Sequence, residues 1–394
     1  MVRFMKNLLA TALIATLATP TLAQTCGGSF SSFLSGIKEE AVAKGHNPAK
    51  VDQFLAHARQ DQKVISADRA QGVFKLDFTD FAKRVISANR MAKGKANRQK
   101  YASVFDRIQK TYGVDPAVML AFWALETDFG AVQGDFNTLN ALLTLSHDCR
   151  RPELFRPQIF AALTLFERGD FSPAKTTGAW AGEIGMVQML PKDIIERGVD
   201  GDGDGHVSLK TSAADALMSG ANVISHHGWR PNEPWLVEVT VPQSLDWENT
   251  GLHASRSVAD WAAAGVKARG VNMPNGGLQA SLLLPQGRKG PAFLALPNFK
   301  VYLEWNQSLV YVTTAAYFAT RLAGAPRFDE GNPEPGLSDS QMKSLQQKLK
   351  SRGYDVGKVD GILGAKTRDA VRQEQIRLGL PADAWPTAGL LSKI

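Results

Sequence analysis

The sequence predicts a mainly α-helical protein that carries a small antiparallel β insertion and ends in a separate unit of three short helices. Apolar residues recur at helical spacing through most of residues 30–166. Between about residues 235 and 305 the spacing changes to that of short strands separated by glycine-rich turns. A stretch rich in Pro, Gly and charge at 325–336 then marks a linker, after which the helical spacing returns.

Residues 1–23 have the pattern of a secretory signal. Arg3 and Lys6 precede an apolar run at 8–17 that is too short to span a membrane, and small residues end the segment at Ala23. We therefore expect cleavage near Ala23 and a periplasmic mature protein. The residues before Cys26 are not the small ones of a lipoprotein signal, so no lipid anchor is expected.

The net charge limits the classes of binding partner that are expected, and the cysteines bear on the expected redox state after export. The chain has 394 residues, enough for two or three units, and its net charge of +7 falls to +5 once Arg3 and Lys6 are removed with the leader. The basic residues form no dense run interleaved with aromatics, so an acidic wall polymer or an anionic lipid fits better than nucleic acid. Cys26 and Cys149 are predicted to form a disulfide after export, the alternative being two buried thiols.

The segment 116–130, PAVMLAFWALETDFG, is predicted to be a helix buried nearly all round, because it has almost no polar face. Glu126 stands near its end, and a carboxylate is seldom buried unless it is paired or has a function. Apolar neighbours such as Phe122, Trp123 and Phe129 would raise the pKa of this carboxyl group and keep a proton available near neutral pH. The alternative is a Glu that faces solvent or pairs with a Lys or Arg.

A second segment, GAWAGEIGMVQMLP at 178–191, combines small residues with a lone amide, Gln188. Its glycines and alanines allow the backbone to approach a ligand or another element closely. The amide of Gln188 needs hydrogen-bond partners if it is buried. Either its own fold or a hydroxyl or acetamido group of a bound sugar could supply them.

Residues 200–206, DGDGDGH, have the spacing of a calcium-binding loop. Carboxylates at positions one, three and five, Gly at six and a main-chain carbonyl at seven fold oxygen atoms around one hard cation. Position twelve departs from the pattern, since Thr211 replaces the usual Glu, and Asp215 is expected to complete the shell. The alternative is an acidic turn without a metal. The predicted ligands of this structural Ca²⁺ are Asp200, Asp202, Asp204, His206 and Asp215.

The insertion is predicted to contain four strands, and two aromatic residues follow it. Trp305 and Tyr311 could stack on a sugar ring or pack in the core. In the C-terminal unit at 337–394, Ser338 and Gly353 are typical helix caps, and no catalytic constellation is visible. The predicted strands are 236–241, 278–284, 292–296 and 300–303.

Four motifs, in this order and at these intervals, resemble those of the B-type lytic murein transglycosylases of glycoside hydrolase family 103: ALETDFG, AGEIGMVQMLP, VDGDGDGH and NFKVYLEWNQSLVY. The later segment LQQKLKSRGYDVGKVDGILGAKTRDAV resembles the small peptidoglycan-binding domain often attached to cell-wall enzymes. The resemblance implies a catalytic domain at 24–324 and a peptidoglycan-binding domain at 337–394, which the signal peptide predicted at 1–23 precedes and the linker predicted at 325–336 joins.

The resemblance also implies a lysozyme-like helical core that acts on the MurNAc–GlcNAc bond of peptidoglycan strands. Glu126 would be the single catalytic acid/base of a monomer without an organic cofactor, with other cell-wall enzymes as further partners. The aromatic residue of the family's Tyr-Asn motif is Trp305 here, and Met186-Val187 replaces a stretch that usually contains glycine. The residues implied to contact glycan are Gln188, Trp305, Asn306 and Tyr311.

A single carboxylate fits this chemistry. Most glycosidases need two, and Asp128 and Asp135, which are near in sequence, have no obvious claim to be the second. In a lytic transglycosylase the substrate supplies the nucleophile, since the C6 hydroxyl of MurNAc closes a 1,6-anhydro ring, and the enzyme is a lyase. The alternatives are a muramidase that hydrolyses the same bond with water and a non-catalytic protein that binds the cell wall.

Overall fold

The computed structural model describes residues 26–70 and 76–394. The predicted leader at 1–23 lies outside the described residues. Within these two ranges, no helix is both long enough and apolar enough to cross a membrane. Helices dominate, as predicted, and form a body that carries a small sheet and is followed by a C-terminal helical unit.

The helices of the body are numbered α1 to α14 in chain order. Most are short and begin with a side-chain cap, as at Asn47, Asp61 and Ser87. Their bounds are α1 Phe30–Ala43, α2 Pro48–Leu55, α3 Gln62–Arg69, α4 Phe78–Val85, α5 Ala88–Lys100, α6 Ala102–Tyr112, α7 Pro116–Thr127, α8 Thr138–His147, α9 Pro152–Arg168, α10 Pro191–Arg197, α11 Ala213–His226, α12 Val258–Ala263, α13 Phe299–Trp305 and α14 Leu309–Leu322.

The body packs around α7, which touches α5, α6, α11 and α14. Asp115 caps its N-terminus by accepting the N–H of Ala117 at 2.7 Å, and Pro116 occupies its first turn. Ten of its twelve residues are buried, which confirms the prediction of a helix enclosed on nearly all sides. It ends at Thr127, directly after Glu126, and the next residue, Asp128, caps it with a left-handed φ of 50°.

Two apolar clusters make up the core of the body. The first surrounds α7 and includes side chains of α4, α6, α11, α14 and the sheet, such as Phe318. The second joins α1, α2, α8 and α9 to the loop before α10 and includes Phe54. Met186 and Trp305 contact both clusters. Two of the segments singled out from the sequence therefore lie at the boundary between the clusters.

The predicted insertion forms a five-stranded antiparallel sheet with the strand order β4-β6-β7-β3-β5. Its central strand β7 pairs Ala295 with Leu236 on one side and with Ser281 on the other. Two further strands, β1 and β2, form a separate small sheet that the sequence did not predict. The strands are β1 Phe136–Asn137, β2 Thr177–Gly178, β3 Leu236–Thr240, β4 Arg256–Ser257, β5 Lys267–Ala268, β6 Gln279–Leu283 and β7 Ala292–Ala295.

The prediction of a strand at 300–303 is wrong, because these residues belong to α13. An apolar run this short does not distinguish a strand from a helix. The wider spacing decides the outcome, since Phe299, Tyr302 and Trp305 recur every three residues and so share one side of a helix. Phe299 and Tyr302 are fully buried there, with ring centroids 6.3 Å apart.

The C-terminal unit consists of three short helices around its own apolar cluster, as predicted. Ser338 and Gln341 form a reciprocal capping box, in which each side chain accepts the backbone N–H of the other residue. The helices are α15 Asp339–Ser351, α16 Ala365–Arg377 and α17 Ala388–Leu391.

Cys26 and Cys149 are bonded to each other although they lie 123 residues apart in the sequence. The bond holds the segment before α1 against the end of α8. Beside it, Gly27 donates its N–H to the carbonyl of His147 at 2.9 Å, and the ring of Phe33 lies edge-on to that of His147. The disulfide thus closes a loop that contains α1 to α8.

Replacing one cysteine should destabilise the protein. We expect Cys149→Ser to lower the free energy of unfolding by about 3–5 kcal/mol, because the crosslink of a long loop restricts the unfolded chain. Urea unfolding of the oxidised wild type and of the variant measures this difference. The double variant Cys26→Ser/Cys149→Ser should match the single one, and equal stability of oxidised and reduced wild type would contradict the prediction.

Candidate functional site

Two side chains from other helices donate hydrogen bonds to the carboxyl group of Glu126. The indole Nε1 of Trp305 lies 2.9 Å from Oε1 of Glu126, and the hydroxyl of Tyr311 lies 2.5 Å from the same oxygen. The chain separates these residues from Glu126 by 179 and 185 positions. An indole N–H can only donate. Oε1 therefore acts as the acceptor, and Oε2 carries the proton when the group is neutral.

This environment raises the pKa of Glu126. Burial is the largest cause, because an apolar environment disfavours the charged form of the carboxyl group. The hydrogen bonds from Tyr311 and Trp305 oppose this rise, since they stabilise the carboxylate. Glu126 as a whole residue is nevertheless only partly buried. The group has the properties of an acid that can both lose and regain a proton.

Trp305 is held by stacking as well as by its hydrogen bond. The centroid of its ring lies 4.4 Å from that of Phe122. The Phe122 ring also stacks on that of Tyr302, with the centroids 5.0 Å apart. The other aromatic neighbours predicted from the sequence, Trp123 and Phe129, pack edge to face at 5.5 Å. Phe122 therefore fixes the plane of the Trp305 indole and aims its N–H at Glu126.

Asn306 and Ser308 set the position of Tyr311. The side-chain oxygen of Asn306 accepts the N–H of Ser308 at 2.8 Å in the turn between α13 and α14. Ser308 then caps α14 by accepting the N–H of Tyr311 at 3.4 Å. In the structure Asn306, predicted to contact glycan, supports the turn that places the Tyr311 hydroxyl.

The carboxylate nearest to Glu126 in sequence, Asp128, is already paired. Its Oδ1 lies 3.0 Å from Nε of Arg90, and its Oδ2 lies 2.7 Å from Nζ of Lys93. The hydrogen bond from Lys93 is the largest cause that lowers the pKa of Asp128, so the group stays charged. Asp135 is exposed. Neither residue lies against the carboxyl group of Glu126 as a hydrogen-bond partner.

The loop before α10 packs against the end of α7. The hydroxyl of Thr127 donates to the carbonyl of Met186 at 2.6 Å. Gln188, with a φ of 53°, donates its side-chain Nε2 to the carbonyl of Gly185 at 2.7 Å. The sequence left open whether this amide bonds to the protein itself or to a sugar. In the structure its nitrogen bonds to the protein itself.

The same loop contains a carboxyl group that the sequence analysis missed, Glu183. Burial raises its pKa to about 7, and the negative charge of Glu126 adds to the rise. Its Oε2 is buried and has no hydrogen-bond partner among the described residues. Gly178 allows the loop to close here, because a Cβ at that position would lie 1.9 Å from the carbonyl oxygen of Glu183. The available signal was a charged residue among small and apolar ones in 178–191.

Three of the predicted metal ligands converge. One carboxylate oxygen from each of Asp200, Asp202 and Asp204 lies within 4.8 Å of the others. The N–H groups of Gly203 and Gly205 donate to Asp200 and keep its pKa low, with the bond from Gly205 as the largest cause. Hard oxygen atoms in this arrangement fit a Ca²⁺ ion.

The side chains of Asp215 and His206 are not part of this group of three carboxylates, and the main-chain carbonyl predicted as a ligand at position seven stays a prediction. The carboxylate of Asp215 is fully buried and accepts the N–H groups of Gly201 at 2.9 Å and of Ser208 at 2.7 Å. The ring Nδ1 of His206 lies 2.7 Å from Oδ1 of Asp170. Asp215 therefore stabilises the loop by accepting hydrogen bonds from its backbone. The ring of His206 joins the loop to Asp170, just after α9.

Family models match both parts of the chain. Residues 29–320 match the model described as Transglycosylase SLT domain. Residues 338–394 match the model described as putative peptidoglycan binding domain. The first match covers most of the chain.

A curated relative is the membrane-bound lytic murein transglycosylase B of Escherichia coli (strain K12). It is 30% identical over 234 residues, which make up 59% of this chain and 63% of that protein. The chain therefore spans less than two thirds of this relative's length.

Solved structures of similar proteins agree with the fold. SltB3 from Pseudomonas aeruginosa in complex with NAG-anhNAM-pentapeptide is 35% identical with a TM-score of 0.86, covering 93% of this chain and 99% of that one. The Escherichia coli lytic transglycosylase Slt35 in complex with calcium is 27% identical with a TM-score of 0.65, covering 76% of this chain and 96% of that one. The chain belongs to the transglycosylase SLT domain family, among the B-type lytic murein transglycosylases, and ends in a domain of the peptidoglycan-binding family.

Proposed function

We propose that this protein is a lytic transglycosylase that cleaves the β-1,4 bond between MurNAc and GlcNAc of peptidoglycan and leaves a 1,6-anhydroMurNAc end. The observation that carries the proposal is the carboxyl group of Glu126, with its raised pKa and two donors on one oxygen. Family membership and the peptidoglycan fragment bound by the Pseudomonas aeruginosa relative support this substrate. The C-terminal domain then holds the same polymer.

In the first step Glu126 acts as a general acid. Its Oε2 donates a proton to the glycosidic oxygen while the bond from that oxygen to C1 of MurNAc breaks. The GlcNAc side leaves with a hydroxyl at C4. Trp305 and Tyr311, which donate to Oε1, stabilise the carboxylate that forms.

In the second step Glu126 acts as a general base. Its carboxylate takes the proton from the C6 hydroxyl of the same MurNAc while the C6 oxygen bonds to C1 and closes the anhydro ring. Because the nucleophile belongs to the bound sugar, the attack has a high effective concentration and needs no activated water. The enzyme ends the cycle with Glu126 protonated, as it began.

A second candidate function, hydrolysis of the same bond, is favoured by one observation. Glu183 supplies a second buried carboxyl group whose pKa responds to the charge of Glu126. Two carboxyl groups are what a hydrolytic glycosidase uses, one as the acid and the other as the base or nucleophile. A muramidase of this kind would leave a reducing MurNAc end, so product analysis separates the two candidates.

The proposal includes export to the periplasm and a structural calcium ion. An oxidising compartment suits the bond between Cys26 and Cys149. Asp200, Asp202 and Asp204 would hold the ion, and the calcium complex of the Escherichia coli relative supports this assignment. The ion would stabilise the loop and take no part in the chemical steps.

Removal of the acid is the main test. Glu126→Gln should slow the release of soluble fragments from purified peptidoglycan by at least about 100-fold, because an amide does not donate the required proton. Mass spectrometry of the wild-type products should find 1,6-anhydroMurNAc ends. The matched control Glu196→Gln changes an exposed glutamate of α10 and should cleave at the wild-type rate.

Two outcomes would contradict the assignment. Wild-type cleavage by a folded Glu126→Gln variant would rule out Glu126 as the acid. Reducing MurNAc ends in place of anhydro ends would favour hydrolysis, and in that case Glu183→Gln should also abolish cleavage.

Loss of the Tyr311 hydroxyl should shift the pH profile. Tyr311 stabilises the charged form of Glu126, so Tyr311→Phe should raise the pKa of Glu126 further. The acid form of Glu126 then persists to higher pH, and the alkaline limb of the kcat/KM profile should move to higher pH. Tyr317→Phe is the matched control, since this buried tyrosine of α14 bonds Phe328 and Arg321 instead, and its profile should match the wild type. An alkaline limb of Tyr311→Phe that moves to lower pH would contradict the role assigned to Tyr311.

Calcium should stabilise the folded protein. At a free Ca²⁺ concentration of about 100 times Kd, binding adds about 2.7 kcal/mol to the free energy of unfolding. Thermal unfolding in Ca²⁺ and in a chelator measures the effect, which Asp202→Asn should remove. Asp135→Asn, which changes an exposed carboxylate outside the cluster, should keep the full calcium response. A melting temperature of the wild type that is the same in both solutions would show that the loop holds no calcium.

A further inference from the structure

The net positive charge of the chain is concentrated in three consecutive helices. Residues 78–112, which form α4, α5 and α6, contain nine Lys or Arg residues and two Asp residues, a net charge of +7. The whole sequence also has a net charge of +7, so the remaining residues are neutral overall. Of the 13 residues of α5, five are basic and none is acidic.

α5 lies beside the end of α7 that carries the proposed acid. Nε of Arg90 and Nζ of Lys93 pair with Asp128, at 3.0 and 2.7 Å, two residues beyond that acid. Gly94 is the one buried residue of α5, and a Cβ there would lie 2.6 Å from Cδ2 of Leu322. The helix therefore packs closely on α7 and α14 at this point, and the rest of it lies at or near the surface.

Three cations of α5 are exposed and have no ionic partner in the part of the chain that the structure describes. They are Lys95, Arg98 and Lys100. The ion pairs of α5 in the described ranges involve only Arg90 and Lys93. Exposed charges of this kind act over about 10 Å at an ionic strength of 0.1 M, and salt screens them.

Few acidic groups lie near α5. The main elements packed on it are α6, α7 and α14. α14 contains no acidic residue, α6 contains only Asp106, and α7 contains only Glu126. The acidic turn at 200–206 approaches α6 through Arg107, whose Nη1 donates to the carbonyl of Gly201 at 2.6 Å. The exposed side of α5 therefore has an excess of positive charge.

We propose that the exposed cations of α5 bind free carboxylates of the peptides that branch from MurNAc in peptidoglycan. This inference rests on the proposed function, because the same strand would be held at Glu126. Lys and Arg side chains bind carboxylates through charged hydrogen bonds. A peptide of four residues spans up to about 13 Å when extended. A peptide on a sugar bound at the end of α7 can therefore reach the neighbouring α5.

Two other classes of anionic partner fit this surface less well. A helix that binds a lipid membrane buries large apolar side chains in it. None of the large apolar side chains that are exposed in the described ranges belongs to 78–112. Single-stranded nucleic acid needs aromatic side chains on which its bases stack, and α5 contains none.

Binding of soluble peptidoglycan strands to full-length Glu126→Gln tests the proposal with cleavage suppressed. The probes are labelled strands that keep their peptides, the same strands with the peptide carboxylates converted to amides, and strands without peptides. Fluorescence anisotropy gives Kd for each probe. Strands with free carboxylates should bind more tightly than the other two, and this advantage should shrink as salt rises from about 50 mM to about 500 mM.

Two triple variants, both made in the Glu126→Gln protein, give a matched comparison. Lys95→Gln/Arg98→Gln/Lys100→Gln should bind the strands with free carboxylates roughly tenfold more weakly, because each exposed ion pair contributes a small amount. Its affinity for amidated and peptide-free strands should not change. The control removes three exposed lysines elsewhere in the body and should bind every probe as its parent does: Lys63→Gln/Lys175→Gln/Lys267→Gln.

Four results would overturn the proposal. These are an unchanged affinity of the folded α5 variant for strands with free carboxylates, an equal loss in the control, equal binding of free and amidated strands, or binding to phosphatidylglycerol vesicles that is tighter than to strands and is lost in the α5 variant. Failure of the proposed function is seen separately, in the rate and products of cleavage. Anhydro ends together with normal binding by the α5 variant would reject only the role of α5.

Discussion

The site depends on the meeting of one carboxyl oxygen with two donors from distant parts of the chain. Burial at the end of α7 favours the neutral form of Glu126, and the N–H of Trp305 and the hydroxyl of Tyr311 favour the charged form. Burial alone would favour the neutral carboxyl group, and the two donors alone would favour the charged one. The balance requires that α7, α13 and α14 hold fixed positions, which the stack of Phe122 on Trp305 and the cap by Ser308 provide.

The acidic loop at 200–206 and the loop that contains Gln188 are joined through the backbone. Met186 donates its N–H to the carbonyl of Leu209 at 2.9 Å, just beyond the acidic turn at 200–206. Gly185 permits this approach, because a Cβ there would lie 2.5 Å from that of Leu209. On the other side Met186 accepts the hydroxyl of Thr127 next to Glu126. Two hydrogen bonds on Met186 therefore connect Leu209, which follows the acidic turn, with Thr127 at the end of α7.

The sequence predicted those features that depend on interactions between residues close together in the chain. Glu126 was identifiable because a charge in an apolar helix is costly unless it has a function, and the caps and the Asp-Gly alternation are short-range signals of the same kind. The resemblance marked Trp305 and Tyr311 only as glycan contacts, and their hydrogen bonds to Glu126 were not predicted, since a period or a cap does not report contacts across 179 residues. Asp215 was misjudged because a carboxylate that holds backbone N–H groups and one that holds a metal look alike in sequence. Glu183 was missed because its burial arises from the folded loop.

The first turn of α14 contacts both the site around Glu126 and the C-terminal unit. Tyr311 on this turn reaches the carboxyl group of Glu126, while Val310 beside it lines the junction with the C-terminal unit. Arg368 and Trp385 of that unit bond to backbone carbonyls of Pro285 and of the linker. A truncation after α14 would therefore strip cover from apolar side chains one residue away from the tyrosine. The C-terminal unit therefore packs against the same turn of α14 that carries Tyr311, and this junction lies one residue away from a hydrogen-bond donor to Glu126.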